Sequence, residues 1–260
     1  MNESMSPREQ GRASSGTVHG RRADKVGYIR LDRFRKSNSY TRAMLEELER
    51  CWEEMEEDPA VQVVVVQGTG ERAFCAGADR VEISRSDYRH ALNLKSARMF
   101  SRIADAPFVT LAAVNGAAVG GGLELALACD LRIASDNAFF AFPEPGLGLI
   151  PAAGGTHRLP KTVGITRAKE LILGGVTWKA SEALAYGLIN QVVPSEKLDM
   201  EVERWVERIC RLDPLALRLA KKALNASSRF AEGQDLETTI QALLYHLRWE
   251  RFNNNTGNSP

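Results

Sequence analysis

The fold of this chain is decided by residues 114–130, which read Val114-Asn115-Gly116-Ala117-Ala118-Val119-Gly120-Gly121-Gly122-Leu123-Glu124-Leu125-Ala126-Leu127-Ala128-Cys129-Asp130. An apolar stretch over 109–114 ends in an Asn-Gly turn, and three consecutive glycines then open an apolar run. This pattern predicts a strand before the glycines and a buried helix over 122–129. Glycines at a helix start let a ligand approach free N–H groups that carry the positive end of the helix dipole. The stretch therefore predicts a site that stabilises an oxyanion.

Glu124 is the one charged residue in that apolar run. A buried carboxylate is costly unless it is paired, hydrogen-bonded or stabilised by a helix N-terminus, so Glu124 is a candidate catalytic group. The alternative is a first-turn glutamate that only satisfies the helix dipole. A second carboxylate, Glu144, lies in the turn Phe142-Pro143-Glu144-Pro145-Gly146, where a glutamate is usually just solvated. The combination of the two is what points to acid/base chemistry.

A further glycine-containing stretch, Phe74-Cys75-Ala76-Gly77-Ala78-Asp79, lies upstream. Neither glycine stretch is a phosphate-binding P-loop, since no Lys-Ser/Thr pair follows the glycines, and no GxGxxG motif is found at a predicted strand–helix junction. On glycines alone, tight turns with close helix packing are the alternative interpretation.

The composition excludes several classes of protein. Of 260 residues, 44% are hydrophobic and 26% charged, as in packed globular proteins. The 34 basic and 33 acidic residues leave a net charge of +1, so nothing in the whole sequence favours nucleic acid or an anionic membrane as a partner. The four cysteines lack the spacing of zinc ligands, so no metal is predicted and a reducing compartment is expected.

No apolar run approaches the roughly 20 residues of a membrane helix, so no membrane association is predicted. Residues 1–23 are rich in Ser, Arg and Gly and lack the apolar region of a secretory signal, which predicts a flexible tail and a cytoplasmic protein. A mitochondrial presequence is the weaker alternative, because Glu3 and Glu9 are unusual in such segments.

Strand-like and helical patterns alternate in the first part of the chain, and helical patterns follow alone. Strands are predicted over 26–31, 61–66, 109–114, 131–134 and 138–142, and helices over 40–55, 88–103, 122–129, 166–173, 180–186, 200–212, 214–225 and 234–252. Ser39 or Thr41 can cap the first helix. The order predicts an α/β core with a helical C-terminal part. The predicted regions are a flexible tail (1–23), an α/β catalytic core (24–198), a C-terminal helical region (199–252) and a disordered tail (253–260).

Residues 114–130 resemble the central signature of the crotonase (enoyl-CoA hydratase/isomerase) superfamily. Pro143-Glu144 and residues 150–160 follow at the usual distance, residues 74–79 are similar to the family's first oxyanion loop, and the resemblance runs from about residue 26 to about residue 218. It implies an α/β fold of the crotonase type, a spiral of ββα units with a helical C-terminal trimerisation region. It also implies assembly as a homotrimer or as a hexamer formed by a dimer of trimers.

The same resemblance implies a function. The N–H groups of Ala78 and Gly121 would bind the thioester oxygen of an acyl-CoA, while Glu124 and Glu144 hold one water for addition across the double bond of a 2-enoyl-CoA. The reaction is reversible and gives the 3-hydroxyacyl-CoA, without a metal or a cofactor, since coenzyme A is part of the substrate. The residues implied along the CoA and acyl portions are Arg35, Ser37, Ser39, Ala76, Asp79, Arg80 and Val81.

Alternatives remain open at this point: an enoyl-CoA isomerase, dehydratase or decarboxylase of the same fold, with the acyl group on CoA or on a carrier protein, or an inactive oligomeric scaffold. The sequence also departs from the family pattern. Arg80 stands where an aliphatic residue is more usual, and Pro145 directly follows the second glutamate. His157 replaces a common Gln and is expected to be a structural hydrogen-bonding residue. Because Arg80 and Pro145 can both reshape the acyl pocket, the sequence predicts no acyl chain length or branching. Residues 245–260 lack the family's usual closing run, so no C-terminal cover of the acyl site is predicted.

Overall fold

The computed structural model describes residues 16–85 and 94–226. In chain order the strands are β1 (Thr17–Ala23), β2 (Val26–Asp32), β3 (Val63–Gly68), β4 (Ala73–Cys75), β5 (Val109–Val114), β6 (Ala117–Val119), β7 (Leu131–Ser135), β8 (Phe139–Ala141), β9 (Thr177–Lys179) and β10 (Gln191–Val193). The helices are α1 (Arg42–Glu57), α2 (Arg80–Ser84), α3 (Lys95–Ala104), α4 (Gly121–Ala128), α5 (Gly155–Leu173), α6 (Ala180–Ala185), α7 (Leu198–Cys210) and α8 (Pro214–Ala226). Single turns of 3-10 helix cover Phe34–Lys36, Glu144–Leu147 and Ser195–Lys197.

The larger sheet has six strands in the order β1-β2-β3-β5-β7-β10, all parallel except β1 against β2. Strand β3 is apolar on both faces, and Val63 to Val66 are at most 3% exposed, as is typical of a parallel sheet covered on both sides. Helix α1 contributes Met44, Leu48 and Trp52 to the core. Its predicted cap is confirmed at Thr41, whose hydroxyl accepts a hydrogen bond of 3.2 Å from Met44 N.

The smaller sheet positions the site. Its strands have the order β4-β6-β8-β9, with β4, β6 and β8 parallel to one another. The carboxyl ends of parallel strands lie at the same edge of a sheet, and ligands of α/β proteins bind at such edges. The loop of Gly77 and Ala78 follows β4, Gly120 and Gly121 follow β6, and Glu144 follows β8. Segments far apart in the sequence therefore meet at one edge.

The predicted flexible tail over residues 1–23 is wrong for its last part. Residues 17–23 form strand β1, which pairs with β2 through a tight turn in which Asp24 has φ of 50°. The strand has a single buried residue, Val18, so it carries no apolar alternation that periodicity could detect. Backbone hydrogen bonds to a neighbouring strand define this edge strand.

The prediction of helices alone after residue 166 is wrong at two places. Strands β9 and β10 have three residues each, too few to show a period, and they form because β8 and β7 offer them a partner edge. Helix α5 also begins earlier than predicted, at Gly155, and is interrupted at Gly164, where φ is 79° and ψ is 159°. The predicted helix over 166–173 is the part after this kink.

The chain divides into two units, Met1–Ile209 and Cys210–Pro260. Helix α7, predicted to belong to the C-terminal region, lies in the first unit except for its last residue. Trp205 of this helix donates a hydrogen bond of 2.9 Å to Gln191, and Val202 and Val206 are buried. The described part of the second unit contains α8. The predicted helix over 234–252, the tail over 253–260 and residues 88–93 of the helix over 88–103 lie outside the described residues.

Among the described helices, none has the length and apolar character that a membrane span requires.

Arg132 on β7 holds the carboxyl end of α4 in place. Its guanidinium donates to the carbonyl oxygens of Leu188 (2.7 Å), Cys129 (2.6 Å) and Ala126 (3.4 Å). A cation at this end also interacts favourably with the helix dipole. The side chain is buried, and burial lowers the pKa of Arg132. The contacts compensate the cost of burying the charge.

Replacing Arg132 by Met is expected to lower the free energy of unfolding by about 3 kcal/mol, because buried carbonyl groups at the end of α4 lose their donors. Urea unfolding followed by tryptophan fluorescence measures the change. The matched control is Met at Arg98, which is exposed on α3 and should change stability by no more than about 0.5 kcal/mol. Equal stability of the two variants would contradict the structural role of Arg132.

Candidate active site

The three glycines between β6 and α4 are required by close packing. Gly120 has φ of 55°, a left-handed conformation that favours glycine. A Cβ built on Gly121 would collide with the hydroxyl of Tyr40, and one built on Gly122 would collide with the carbonyl oxygen of Cys75. The start of α4 can therefore lie directly against β4 and the Tyr40 side chain.

Two backbone amides, those of Ala78 and Gly121, belong to segments that approach each other here. In an isolated parallel bridge, Tyr40 N donates to Gly77 O (2.8 Å) and Asp79 N donates to Tyr40 O (2.9 Å), so the N–H of Ala78 between them is directed away from Tyr40. The N–H of Gly121 belongs to the first turn of α4, where amides lack an intrahelical partner. The two loops are close, because a Cβ on Gly77 would lie 3.0 Å from Gly121 N. The amides of Ala78 and Gly121 therefore stay candidates for an oxyanion hole.

The carboxylate of Glu124 is held by backbone amides at the start of α5. It is 3% exposed, and its Oε1 accepts hydrogen bonds from the amides of Ala153 (2.7 Å) and Gly155 (2.8 Å). Burial raises the pKa of Glu124, while these two hydrogen bonds and the charge of Arg158 act in the opposite direction. The alternative interpretation, a first-turn glutamate that only satisfies the dipole of α4, does not explain these two contacts.

Glu144 reaches the same end of α4 from the 3-10 turn after β8. Its Oε1 lies 2.6 Å from the position of a Cβ on Gly120, and its buried Oε2 has no hydrogen-bond partner among the described residues. Burial raises the pKa of Glu144 to about 7, and the charge of Glu124 adds to this shift. The carboxyl groups of Glu124 and Glu144 thus interact with each other. Oε2 of Glu144 is the oxygen that is left to bind a ligand.

The two segments expected to bind the CoA arm lie side by side. Ala76 N donates to Ser37 O (3.0 Å), which joins the loop before α1 to the loop after β4. Arg35 is exposed in the turn Phe34–Lys36, and Ser39 is half-buried. Arg80 and Val81 are exposed at the start of α2.

Asp79 has a structural environment. Its carboxylate caps α2 by accepting from Val81 N (2.9 Å) and Glu82 N (3.1 Å), and it forms a buried ion pair of 2.6 Å with Arg33. Burial opposes ionisation, but the hydrogen bond from Arg33 and the cap bonds hold the pKa of Asp79 below its usual value. The predicted contact of Asp79 with substrate therefore stays a prediction, whereas its role in fixing the loop is visible.

Two further residues near the site are not among the candidates predicted from the sequence. Tyr40 falls within the predicted helix over 40–55 but precedes α1 in the structure; it is buried against Phe100, and its hydroxyl contacts Gly121 and bonds to Ser96. Its pKa is raised by burial first, and then by the charges of nearby groups that include both glutamates. Arg158 is the second, and no spacing rule distinguishes it from other helix arginines. His157, beside it, is exposed.

No group of three or more His, Cys, Asp or Glu side chains in residues 16–85 and 94–226 is arranged to hold a metal ion.

Comparison with known proteins identifies the family. The family model described as enoyl-CoA hydratase/isomerase matches residues 21–253. The short-chain-enoyl-CoA hydratase of Clostridium acetobutylicum is 38% identical over 77% of this chain and 78% of its own length. The mitochondrial enoyl-CoA hydratase of Pongo abelii is 37% identical over 83% of this chain and 74% of its own length.

A solved structure agrees with these matches. The enoyl-CoA hydratase of Bacillus anthracis superposes with a TM-score of 0.85 at 36% sequence identity, over 94% of this chain and 97% of that one. The crotonase-type α/β fold predicted from the glycine-rich signature is thereby confirmed. The chain belongs to the enoyl-CoA hydratase/isomerase family, the crotonase superfamily.

Proposed function

We propose that this protein adds water reversibly across the double bond of a 2-enoyl-CoA thioester to give the 3-hydroxyacyl-CoA. The observation that carries the proposal is that Glu144 lies against Gly120 at the start of α4, close enough to Glu124 for the charge of Glu124 to raise the pKa of Glu144. The amides of Ala78 and Gly121 are proposed to lie beside these two carboxyl groups. Hydration needs a base for water, an acid for Cα and donors for a developing enolate oxygen. The surroundings of these four groups match those needs, and relatives named as enoyl-CoA hydratases support the assignment.

The amides of Ala78 and Gly121 bind the thioester carbonyl oxygen. When water attacks Cβ, the π electrons move toward this oxygen, which gains negative charge. Fixed N–H donors in a buried site stabilise that charge without reorganisation. The dipole of α4 adds to the effect, because its positive end lies at Gly121.

The two glutamates differ in a way that assigns their roles. Glu124 accepts two amide hydrogen bonds, which favour its ionised form, so it takes the proton from water as the oxygen bonds to Cβ. Glu144, whose pKa is raised to about 7, is partly protonated at neutral pH and delivers a proton to Cα. Afterwards Glu124 carries a proton and Glu144 is ionised, and proton exchange with water restores the starting state. Dehydration is the same path in reverse.

The CoA portion is proposed to lie over the loop before α1 and the loop after β4, which are joined by the hydrogen bond from Ala76 N to Ser37 O. Arg35 supplies a cation for a phosphate, and Ser37 and Ser39 line the same segment. Ala76, Asp79, Arg80 and Val81 flank the pantetheine and acyl portions. No metal or separate cofactor takes part in the proposed reaction, because coenzyme A is part of the substrate.

Changing Glu124 or Glu144 to Gln is expected to lower kcat for crotonyl-CoA hydration by about 10²–10⁴-fold each, because each variant loses one proton-transfer group. Loss of the absorbance of the conjugated thioester measures the rate. Gln at the exposed Glu196 is the matched control and should keep the wild-type rate.

The same variants separate the other candidates. An isomerase that relies on Glu144 alone would keep much of its rate in the Glu124→Gln variant, whereas a hydratase would not. Absence of turnover by the wild-type protein with any enoyl thioester would contradict the proposal and favour an inactive scaffold.

The pH dependence should reflect Glu144. Hydration needs this carboxyl protonated, so kcat/KM for hydration should fall as pH rises through about 7, and the rate of dehydration should rise over the same range. An independent check uses thermal stability.

The pKa of Glu144 in the folded protein, about 7, lies above its ordinary value of 4.5, which applies to the unfolded chain. The stability contributed by protonated Glu144 is therefore lost as pH rises from 4.5 through about 7. Across this interval the Glu144→Gln variant should gain Tm relative to wild type. A pH-independent difference would contradict the raised pKa.

We also propose assembly as a homotrimer or a dimer of trimers, as the family resemblance implies. Light scattering after size exclusion should give three or six times the 28.7 kDa chain mass. A mass of one or two chains would contradict it. A cytoplasmic location stays a prediction, since the relatives named above come from a bacterium and from a mitochondrion.

A further inference from the structure

The hydrogen bonds that the Glu124 carboxylate accepts depend on the conformation of the loop before α5, which contains Ala153 and Gly154. The amides of Ala153 and Gly155, at the junction between this loop and α5, both point at Glu124 Oε1. Gly154 between them has φ of 118°, a conformation that a side chain would strain. Free loops populate many conformations, so something must hold both amides in the direction of the carboxylate.

The guanidinium of Arg158 lies on the other side of this loop. Its Nη1 donates to the carbonyl oxygen of Ala153 (3.0 Å), and its Nη2 donates to Phe100 O (3.4 Å) and Ser101 Oγ (3.3 Å) on α3. Ala153 therefore uses its N–H for Glu124 and its carbonyl for Arg158. The side chain fastens the loop to two helices, α5 and α3.

The same side chain closes the space over the loop. A Cβ built on Gly154 would collide with Nη1 of Arg158. The guanidinium thus lies against the turn whose amides bind Glu124.

The charges around Arg158 fit a supporting role. Arg158 lowers the pKa of Glu124 against the larger effect of burial, and Asp105 and Cys129 also face the guanidinium. Lys161 and Arg158 are both close enough to lower the pKa of His157, whose larger cause is burial. Arg158 is therefore the cation of this group that acts on Glu124, and its three hydrogen bonds fix the position of its guanidinium.

We propose that Arg158 is a positioning residue for Glu124, holding the amides of Ala153 and Gly155 on its carboxylate. The inference deepens the proposed hydration and rests on it for the catalytic readout. Arg158 contacts the loop rather than substrate, so its loss should act on kcat and leave binding of the CoA portion intact.

The test compares Arg158→Met and Arg158→Lys with His157→Gln, an exposed neighbour on the same helix turn, in crotonyl-CoA hydration over a range of pH. The Met variant should lose about 10²-fold in kcat with KM changed by less than about threefold, because a small displacement of a catalytic group has an effect of that size. The acidic side of the kcat–pH profile of the Met variant should also move to higher pH, because the ionised form of Glu124 has lost a neighbouring cation.

The Lys variant separates charge from position. It keeps the cation, so the acidic side of its kcat–pH profile should stay near that of wild type, but an ammonium cannot reproduce the planar fork that reaches Ala153, Phe100 and Ser101, so kcat should stay low. The His157→Gln control should keep kcat. Retention of wild-type kcat by the Met variant, or an effect on KM alone, overturns the inference. If the Met variant does not fold, wild-type kcat in the Lys variant overturns it.

A second measurement is independent of turnover. Urea unfolding of the wild type, Arg158→Met, Glu124→Gln and the double variant forms a double-mutant cycle. Coupling of at least about fivefold in the unfolding equilibrium constant supports the link between the two residues, and additive effects overturn it. Absence of turnover in the wild type with strong coupling in the cycle would overturn the proposed function while leaving the link intact.

Discussion

The burial of one carboxylate, Glu124, at the start of a fully buried helix is the constraint on which the site depends. A carboxylate at 3% exposure is costly unless donors replace the lost water, and here the amides of Ala153 and Gly155 do so. This compensation links α4 to a loop some thirty residues later in the chain. The site therefore exists only when that loop has its native conformation.

The smaller sheet supplies the second condition. Because β4, β6 and β8 run parallel, the segments that follow them emerge at one edge, and each contributes one part of the site. The glycines permit the approach, since a side chain on Gly121 or Gly122 would collide with its neighbours. The glycines that allow close packing therefore also lie at the candidate site. The contact that brings the helix start against β4 also brings Gly77 close to the amide of Gly121.

Two carboxyl groups in one site can perform different tasks only if their surroundings differ. Both have a raised pKa because both are buried, but Glu124 has amide donors and a neighbouring cation, whereas Oε2 of Glu144 has no partner within the described residues. The first environment favours a base and the second favours an acid near neutral pH. Arg158 contributes to this difference, because it bonds to the same loop whose amides donate to Glu124.

Much of the fold and the central site could be predicted from local pattern. The glycine run, the lone charge of Glu124 and the turn around Glu144 are visible because each breaks an apolar stretch. Strand β2 is visible because its residues alternate, and strands β3 and β5 because burial on both faces leaves nearly continuous apolar runs. The three-residue strands β9 and β10 and the mostly exposed strand β1 could not be predicted from periodicity, because their pairing comes from a neighbouring edge rather than from their own residues. The tertiary structure alone decided which amides hold Glu124, which oxygen of Glu144 has no partner among residues 16–85 and 94–226, and why Arg158 differs from other arginines. These are contacts between segments distant in sequence, and their geometry depends on packing that no local period encodes.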